Sequence, residues 1–146
     1  MQTNFLVINA IDSSKMNETH YPPLGIGYLV SSLRNKFGES AINFRVVDTD
    51  IEQEINRFRP DIVGISAVSQ NYNKAVLYAK IAKKYGIPVL CGGVHVSMMP
   101  SSLTRHMDVG VIGEGEKTIC DLFELFIDKN KFHEEFGSIL QKAKIT

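Results

Sequence analysis

The chain carries no excess charge of either sign: 16 lysines and arginines face 16 aspartates and glutamates over 146 residues. A balanced chain lacks the electrostatic footprint by which proteins hold nucleic acid or an acidic membrane surface, so neither is expected as a partner. No apolar run nears the roughly 20 residues that a membrane span needs. The N-terminus, "MQTNFLVINAIDSS", has no basic n-region and no small-residue cleavage site. No signal peptide is expected there, and the cytoplasm is the default expectation. Repeats and low-complexity segments are lacking too. There are only two cysteines, Cys91 and Cys120. Their separation fits no zinc or iron–sulfur spacing. They are expected to be reduced, buried thiols.

What is present is an alternation of short apolar runs and longer amphipathic ones. The length suits one domain, which buries roughly 68–70% of its unfolded surface. Strands are expected at 4–10, 42–48, 61–68, 87–91 and 108–113. Helices are expected at 23–37, 50–58, 73–86, 101–106 and 116–129, with a weaker one at 132–144. In the first helix Leu24, Tyr28, Leu29, Leu33 and Phe37 fall at helical spacing. Pro23 suits its first turn and Gly38 its end. Asp50 is expected to cap the second helix. Strands alternating with helices predict an α/β domain with a parallel sheet. The expected topology is doubly wound and flavodoxin-like, a five-stranded sheet in the order 2-1-3-4-5 with helices on both faces. Ligands of such sheets bind beyond the carboxyl ends of the strands, so the following loops are where function is sought.

The loop 9–23 is long for a structural connection, which usually runs about 2–6 residues, and reads as a binding loop or lid. Gly25 and Gly27, with Asp48 further on, mimic a dinucleotide fingerprint. The third glycine is replaced by Val30 and the preceding turn is long and proline-bearing, so nicotinamide binding is not favoured. The loop after the third strand lacks the aspartate of a phosphoacceptor domain. Small residues instead gather at three neighbouring strand ends: Ser66, the Gly92–Gly93 pair, and Gly113 with Gly115. One glycine per turn is punctuation. Small residues side by side read as a slot, because glycine lets a ligand touch backbone.

The pieces "PPLGIGYLVSSLR" (22–34), "RVVD" (45–48), "RPDIVGIS" (59–66), "VLCGGVHVS" (89–97) and "VIGEGEKT" (111–118) stand in a fixed order. Together they resemble the N-terminal cobalamin-binding, Rossmann-like domain of cobalamin-dependent radical SAM enzymes, from about residue 5 to about 127. In the wider family of cobalamin domains a Ser-x-Leu follows strand three and a Gly-Gly follows strand four. Here these look like Ser66–Ala67–Val68, with valine for leucine, and Gly92–Gly93. The resemblance implies that the small residues line a channel for the dimethylbenzimidazole tail of the cofactor, with the corrin across the strand ends. The implied cofactor-binding set is Ser66, Ala67, Val68, Ser69, Gly92, Gly93, Val94, His95, Gly113, Glu114 and Gly115.

Several of these residues keep a second reading. Ser66 can cap its own strand-end backbone. His95 can contact the corrin amides, sit over the cobalt, or be an exposed loop histidine. Glu116 can serve only the helix dipole, which leaves Glu114 as the better functional candidate. Met98 and Met99 are expected at the surface, at a domain interface or the cofactor edge.

Two departures from the family matter. Many cobalamin domains carry Asp-x-His-x-x-Gly after strand one, whose histidine ligates cobalt. This chain has no such motif, and His20 stands in "ETHYPP". The resemblance then implies base-off binding without a histidine ligand, and no residue is assigned as metal ligand. The radical SAM barrel with its Cys-x-x-x-Cys-x-x-Cys motif is also absent. S-adenosylmethionine and a [4Fe-4S] cluster are expected only in such a barrel, in cis or in trans. The expected division is a cobalamin domain at 1–130 and a helical tail at 131–146 leading toward the barrel. The implied reaction class is methyl transfer from S-adenosylmethionine. No catalytic residue is assigned, since no nucleophile–base pair is present. A fold that has lost its cofactor and serves as a non-catalytic interaction domain is the alternative.

Overall fold

A computed structural model describes residues 3–10, 24–67, 71–113 and 116–127. Strands β1 (Thr3–Ala10), β2 (Ile42–Val47), β3 (Ile62–Ala67), β4 (Val89–Gly92) and β5 (Val109–Gly110) alternate with helices. The helices are α1 (Leu24–Phe37), α2 (Ile51–Phe58), α3 (Tyr72–Lys84), α4 (Val94–Met98) and α5 (Glu116–Ile127). The five strands pair in parallel in the order β2-β1-β3-β4-β5. This is the expected doubly wound topology. The expected helix at 132–144 lies outside the described residues. Among the described residues no helix is long and apolar enough to cross a membrane.

The central strands are apolar because both of their faces are covered. Alternate residues of each strand point to opposite faces. Leu6, Ile8, Val63, Ile65, Val89 and Cys91 pack under α2, α3 and α4. There Ala75, Ala79 and Ala82 of α3 are fully buried. Phe5, Val7, Ile62, Leu90 and Val109 face α1 and α5, which supply Ile26, Leu33, Ile119 and Phe123. Lys36 of α1 bridges to Glu124 and Asp121 of α5, at 3.3 and 3.7 Å. The two helices are therefore tied side by side over one face of the sheet.

The local signals fare unevenly. Gly38 ends α1 with φ 87° and donates its N–H to the Arg34 carbonyl at 2.9 Å, as a glycine stop should. Tyr28 is exposed at 63%, contrary to its expected place on the inner stripe. Steps of three and four from Ile26 through Leu29, Val30 and Leu33 define the inner face instead. Asp50 stands at the N-cap of α2 but makes no side-chain cap bond. A capping side chain needs an extended backbone, and Asp50 is left-handed at φ 53°.

The expected helix at 101–106 is displaced. Helix α4 begins directly after Gly93, and only a 3-10 turn, Pro100–Ser102, follows it. Strand β4 starts at Val89 rather than 87. Val89 donates to the Asp108 carboxylate at 2.8 Å, and the Pro88 carbonyl still accepts from Val63. Strand β5 shrinks to Val109–Gly110.

Candidate functional site

The strand register places the small residues in rows. Val7 pairs with Gly64, and Gly64 with Leu90. One step toward the carboxyl ends on the same face, Asn9 pairs with Ser66 and Ser66 with Gly92. Above these rows, between the sheet and the α1–α5 pair, lies a cleft. It encloses about 500 Å³ of empty space, counting the open solvent at its mouth. Its floor is Val7, Gly64, Ser66, Leu90 and Gly92, and its walls are Ile26 and Leu29 of α1 and Ile119 of α5. Gly93, Val111 and Gly113 close the end beyond β4 and β5.

Four of the expected site residues, Ser66, Gly92, Gly93 and Gly113, thus border one cleft. Each glycine does so for its own reason. Gly92 has ordinary space: a Cβ there would be 3.5 Å from the Val111 carbonyl oxygen. Gly93 turns the chain from β4 into α4 with φ 107° and ψ −177°, a region essentially reserved for glycine. Gly113 has φ 74° and donates its N–H to Ser97 Oγ at 2.8 Å. Ala67 is buried beneath the Gly93 turn, on the opposite face of β3 from Ser66. Val94 opens α4.

His95 is elsewhere. Its ring stacks on Tyr72 at 4.0 Å between centroids and 29° between planes. Tyr72 begins α3 on the far face of the sheet. Its hydroxyl donates to the Ser102 carbonyl at 2.9 Å. Val68, Ser69, Glu114 and Gly115, like His20 and most of the long loop after β1, lie outside the described residues. Glu116 opens α5. Met98 and Met99 are exposed at 75% and 54%.

Both cysteines are free and buried. Burial pushes the Cys91 thiol from its usual 9.0 up to about 12. Burial also raises the Cys120 thiol. Neither is a nucleophile at neutral pH. Among the described residues no three histidine, cysteine or acidic side chains gather as a metal site.

Gly64 and the helix walls were not singled out by sequence reasoning. Counting back by two from Ser66 leads to Gly64, and a glycine inside a strand marks close approach of something else. Here that is Phe5, whose Cε2 and Cζ would be 2.9 Å from a Cβ on Gly64. The cleft is therefore an apolar slot based on the Phe5 ring, with bare backbone at Gly92 and one hydroxyl at its mouth. Such a site suits a flat ring that carries a few polar groups.

Comparison with known proteins bears on what such a cleft holds. A family model described as the B12 binding domain matches residues 17–123. An uncharacterized methyltransferase of Pyrococcus horikoshii is 38% identical over 111 residues, which is 70% of this chain and 24% of that protein. The anaerobic magnesium-protoporphyrin IX monomethyl ester cyclase of Rubrivivax gelatinosus is 26% identical over 123 residues, 77% of this chain and 22% of that protein. The chain thus spans less than a quarter of the length of either curated relative. Among solved structures, the cobalamin-dependent S-adenosylmethionine radical enzyme OxsB, with aqua-cobalamin bound, superposes with a TM-score of 0.64. That match has 22% identity and covers 89% of this chain and 19% of OxsB. At that identity the likeness speaks for the fold, which agrees with the sheet order found here. With the family match running over most of the described residues, the chain belongs to the B12-binding domain family.

Proposed function

We propose that this chain holds cobalamin base-off, with the nucleotide tail in the cleft between the sheet and helices α1 and α5. In this reading it is the cofactor domain of a radical SAM enzyme. The observation that carries the proposal is the convergence of Ser66, Gly92, Gly93 and Gly113 on one cleft from three adjacent strand ends.

The residues present fit the cofactor. An aromatic base needs apolar contact on its faces, and Val7, Leu29, Leu90 and Ile119 offer it. It also needs clearance over the backbone, which Gly92 provides. The Ser66 hydroxyl can hydrogen-bond the polar part of the tail at the mouth. His95 is turned toward Tyr72 and does not border the cleft. That placement, and the lack of an Asp-x-His-x-x-Gly motif, support binding without a histidine from this chain on cobalt.

When bound, cobalamin supplies a cobalt centre that can carry a methyl group. The chain's part is to position and shield that centre, while the chemistry belongs to the cofactor. The likeness to a Pyrococcus methyltransferase and to the S-adenosylmethionine radical enzyme OxsB supports methyl transfer with S-adenosylmethionine as the reaction class. The cluster and S-adenosylmethionine would belong to a barrel joined to residues 131–146 or acting in trans. Residues 1–130 form the cobalamin unit in this reading.

Titration of the purified chain with methylcobalamin, followed by visible spectra, tests the proposal. A saturable change from the red base-on to the yellow base-off spectrum is expected. Gly92→Val should abolish the change, since its added methyls enter the cleft while its Cβ fits. No spectral change at high cofactor concentration would reject the reading and favour a non-catalytic interaction domain.

A further inference from the structure

We propose that Asn9 is a specificity residue of the cleft, which with Ser66 hydrogen-bonds the sugar–phosphate segment of the nucleotide tail. The inference rests on the proposed cobalamin site and names a residue to which that reading gave no role.

The strand register carries it. Asn9 of β1 lies directly beside Ser66 of β3, and Ser66 lies beside Gly92 of β4. Residues paired across parallel strands point to the same face. Val7 lines the cleft, and Asn9 is two residues further along the same strand, so it shares that face. The three strand ends therefore present a carboxamide, a hydroxyl and bare backbone in one row. The row beneath, Val7, Gly64 and Leu90, is wholly apolar and about 6–7 Å away, two residues of a parallel strand. Both Asn9 and Ser66 are half-buried, near the cleft mouth. Among the described residues no hydrogen bond ties down either side chain.

A half-buried carboxamide at the cleft mouth, with no partner bond to break, is available to a ligand. A ligand that fits both rows needs an aromatic ring deep in the cleft and a polar linker at the strand ends. A base joined to ribose and phosphate has that shape. An asparagine can serve both parts of that linker. Its NH2 group donates to phosphate oxygens, and its carbonyl accepts from a ribose hydroxyl.

Equilibrium dialysis of the 146-residue chain against hydroxocobalamin and against aquocobinamide tests this, because cobinamide has the same corrin but no nucleotide tail. Asn9→Ala should weaken cobalamin binding about tenfold, the scale of a lost hydrogen bond to a charged group. Its cobinamide affinity should stay within about twofold of the parent chain. Asn9→Asp, which places a carboxylate near the phosphate, should weaken cobalamin more than alanine does, and salt should relieve part of that loss. Asn9→Ser should recover part of the affinity. Unchanged thermal unfolding separates these effects from misfolding, and the serine variant stands in if alanine unfolds the chain. If the parent chain binds cobalamin and Asn9→Ala binds it equally well, or loses cobinamide to the same degree, the role of Asn9 is overturned while the cobalamin reading stands. If the parent chain binds no cobalamin, both fall together.

Discussion

A Cβ built on Gly93 would lie 2.6 Å from the carbonyl oxygen of Ala67 and 3.0 Å from its nitrogen. The contact is with backbone of a buried strand, which cannot swing aside. Together with φ 107° it gives Gly93 a structural duty independent of any ligand. Its neighbour Gly92 has no such constraint. Gly93→Ala should therefore cost at least roughly 2 kcal/mol, while Gly92→Ala stays within about 1 kcal/mol of the parent. Urea unfolding of the two variants checks this. Equal losses would mean that the pair is constrained as a unit, and that Gly92 is no clean probe of the cleft.

The Phe5 ring sets the depth of the cleft. It is 2% exposed and packs at 4.8 Å from the Phe123 ring and 5.9 Å from Phe44. Gly64→Ala would push a methyl to 2.9 Å from that ring, and the ring has little room to retreat. The expected loss is roughly 1–3 kcal/mol, the usual cost of overpacking. Phe5→Leu introduced into the Gly64→Ala chain should return part of it. A Gly64→Ala chain as stable as the parent would show that the ring yields freely.

The alternation of apolar runs and amphipathic segments was enough for a parallel α/β sheet, because buried parallel strands leave so plain a signal, and the strand order follows the common doubly wound pattern. Ser66, Gly92, Gly93 and Gly113 were legible as a slot because small residues at strand ends stand out against the apolar runs before them. Gly64 was not, since a glycine inside an apolar run looks like part of the run. The walls Ile26, Leu29 and Ile119 depend on how α1 and α5 lie across the sheet, and one helix stripe alone does not say that. The fourth helix was expected too late because "SSLTRH" has a capping serine and helical spacing. The chain starts α4 at Val94 instead, where the Gly93 turn and the His95–Tyr72 stack hold it. The sequence offers His95 as a corrin contact or a loop residue, and nothing local in it announces the stack on Tyr72.

That stack anchors the crossing from β4 to β5. The Tyr72 hydroxyl donates to the Ser102 carbonyl and touches the Met107 sulfur at 3.4 Å. Burial raises the pKa of this phenol. Tyr72→Phe keeps the ring on His95 and removes only the hydroxyl, so a loss of about 0.5–1.5 kcal/mol is expected. Tyr72→Ala removes the stack as well and should lose at least twice as much. Chemical denaturation of the two variants resolves the contributions. Equal losses would mean that the ring adds nothing to the hydroxyl's bond.

Cys91 gives the fold an alkaline weakness. Its thiol is held up to about 12 by burial, against 9.0 when exposed. Above pH 9 the unfolded chain releases this proton and the folded chain keeps it. The unfolded state then binds fewer protons, so stability falls as pH rises. The slope for this group is about 1.4 kcal/mol per pH unit between 9 and 12, and below 9 it contributes no pH dependence. Cys91→Ala should be less stable than the parent at pH 8, because it leaves a cavity beside Ile65 and Val89. The gap should close as pH climbs from 9 to 11, since alanine has nothing to titrate. Denaturant unfolding of both chains under reducing conditions at pH 8, 10 and 11 measures that gap. A gap that stays constant over this range would mean that the Cys91 thiol titrates as an exposed one does.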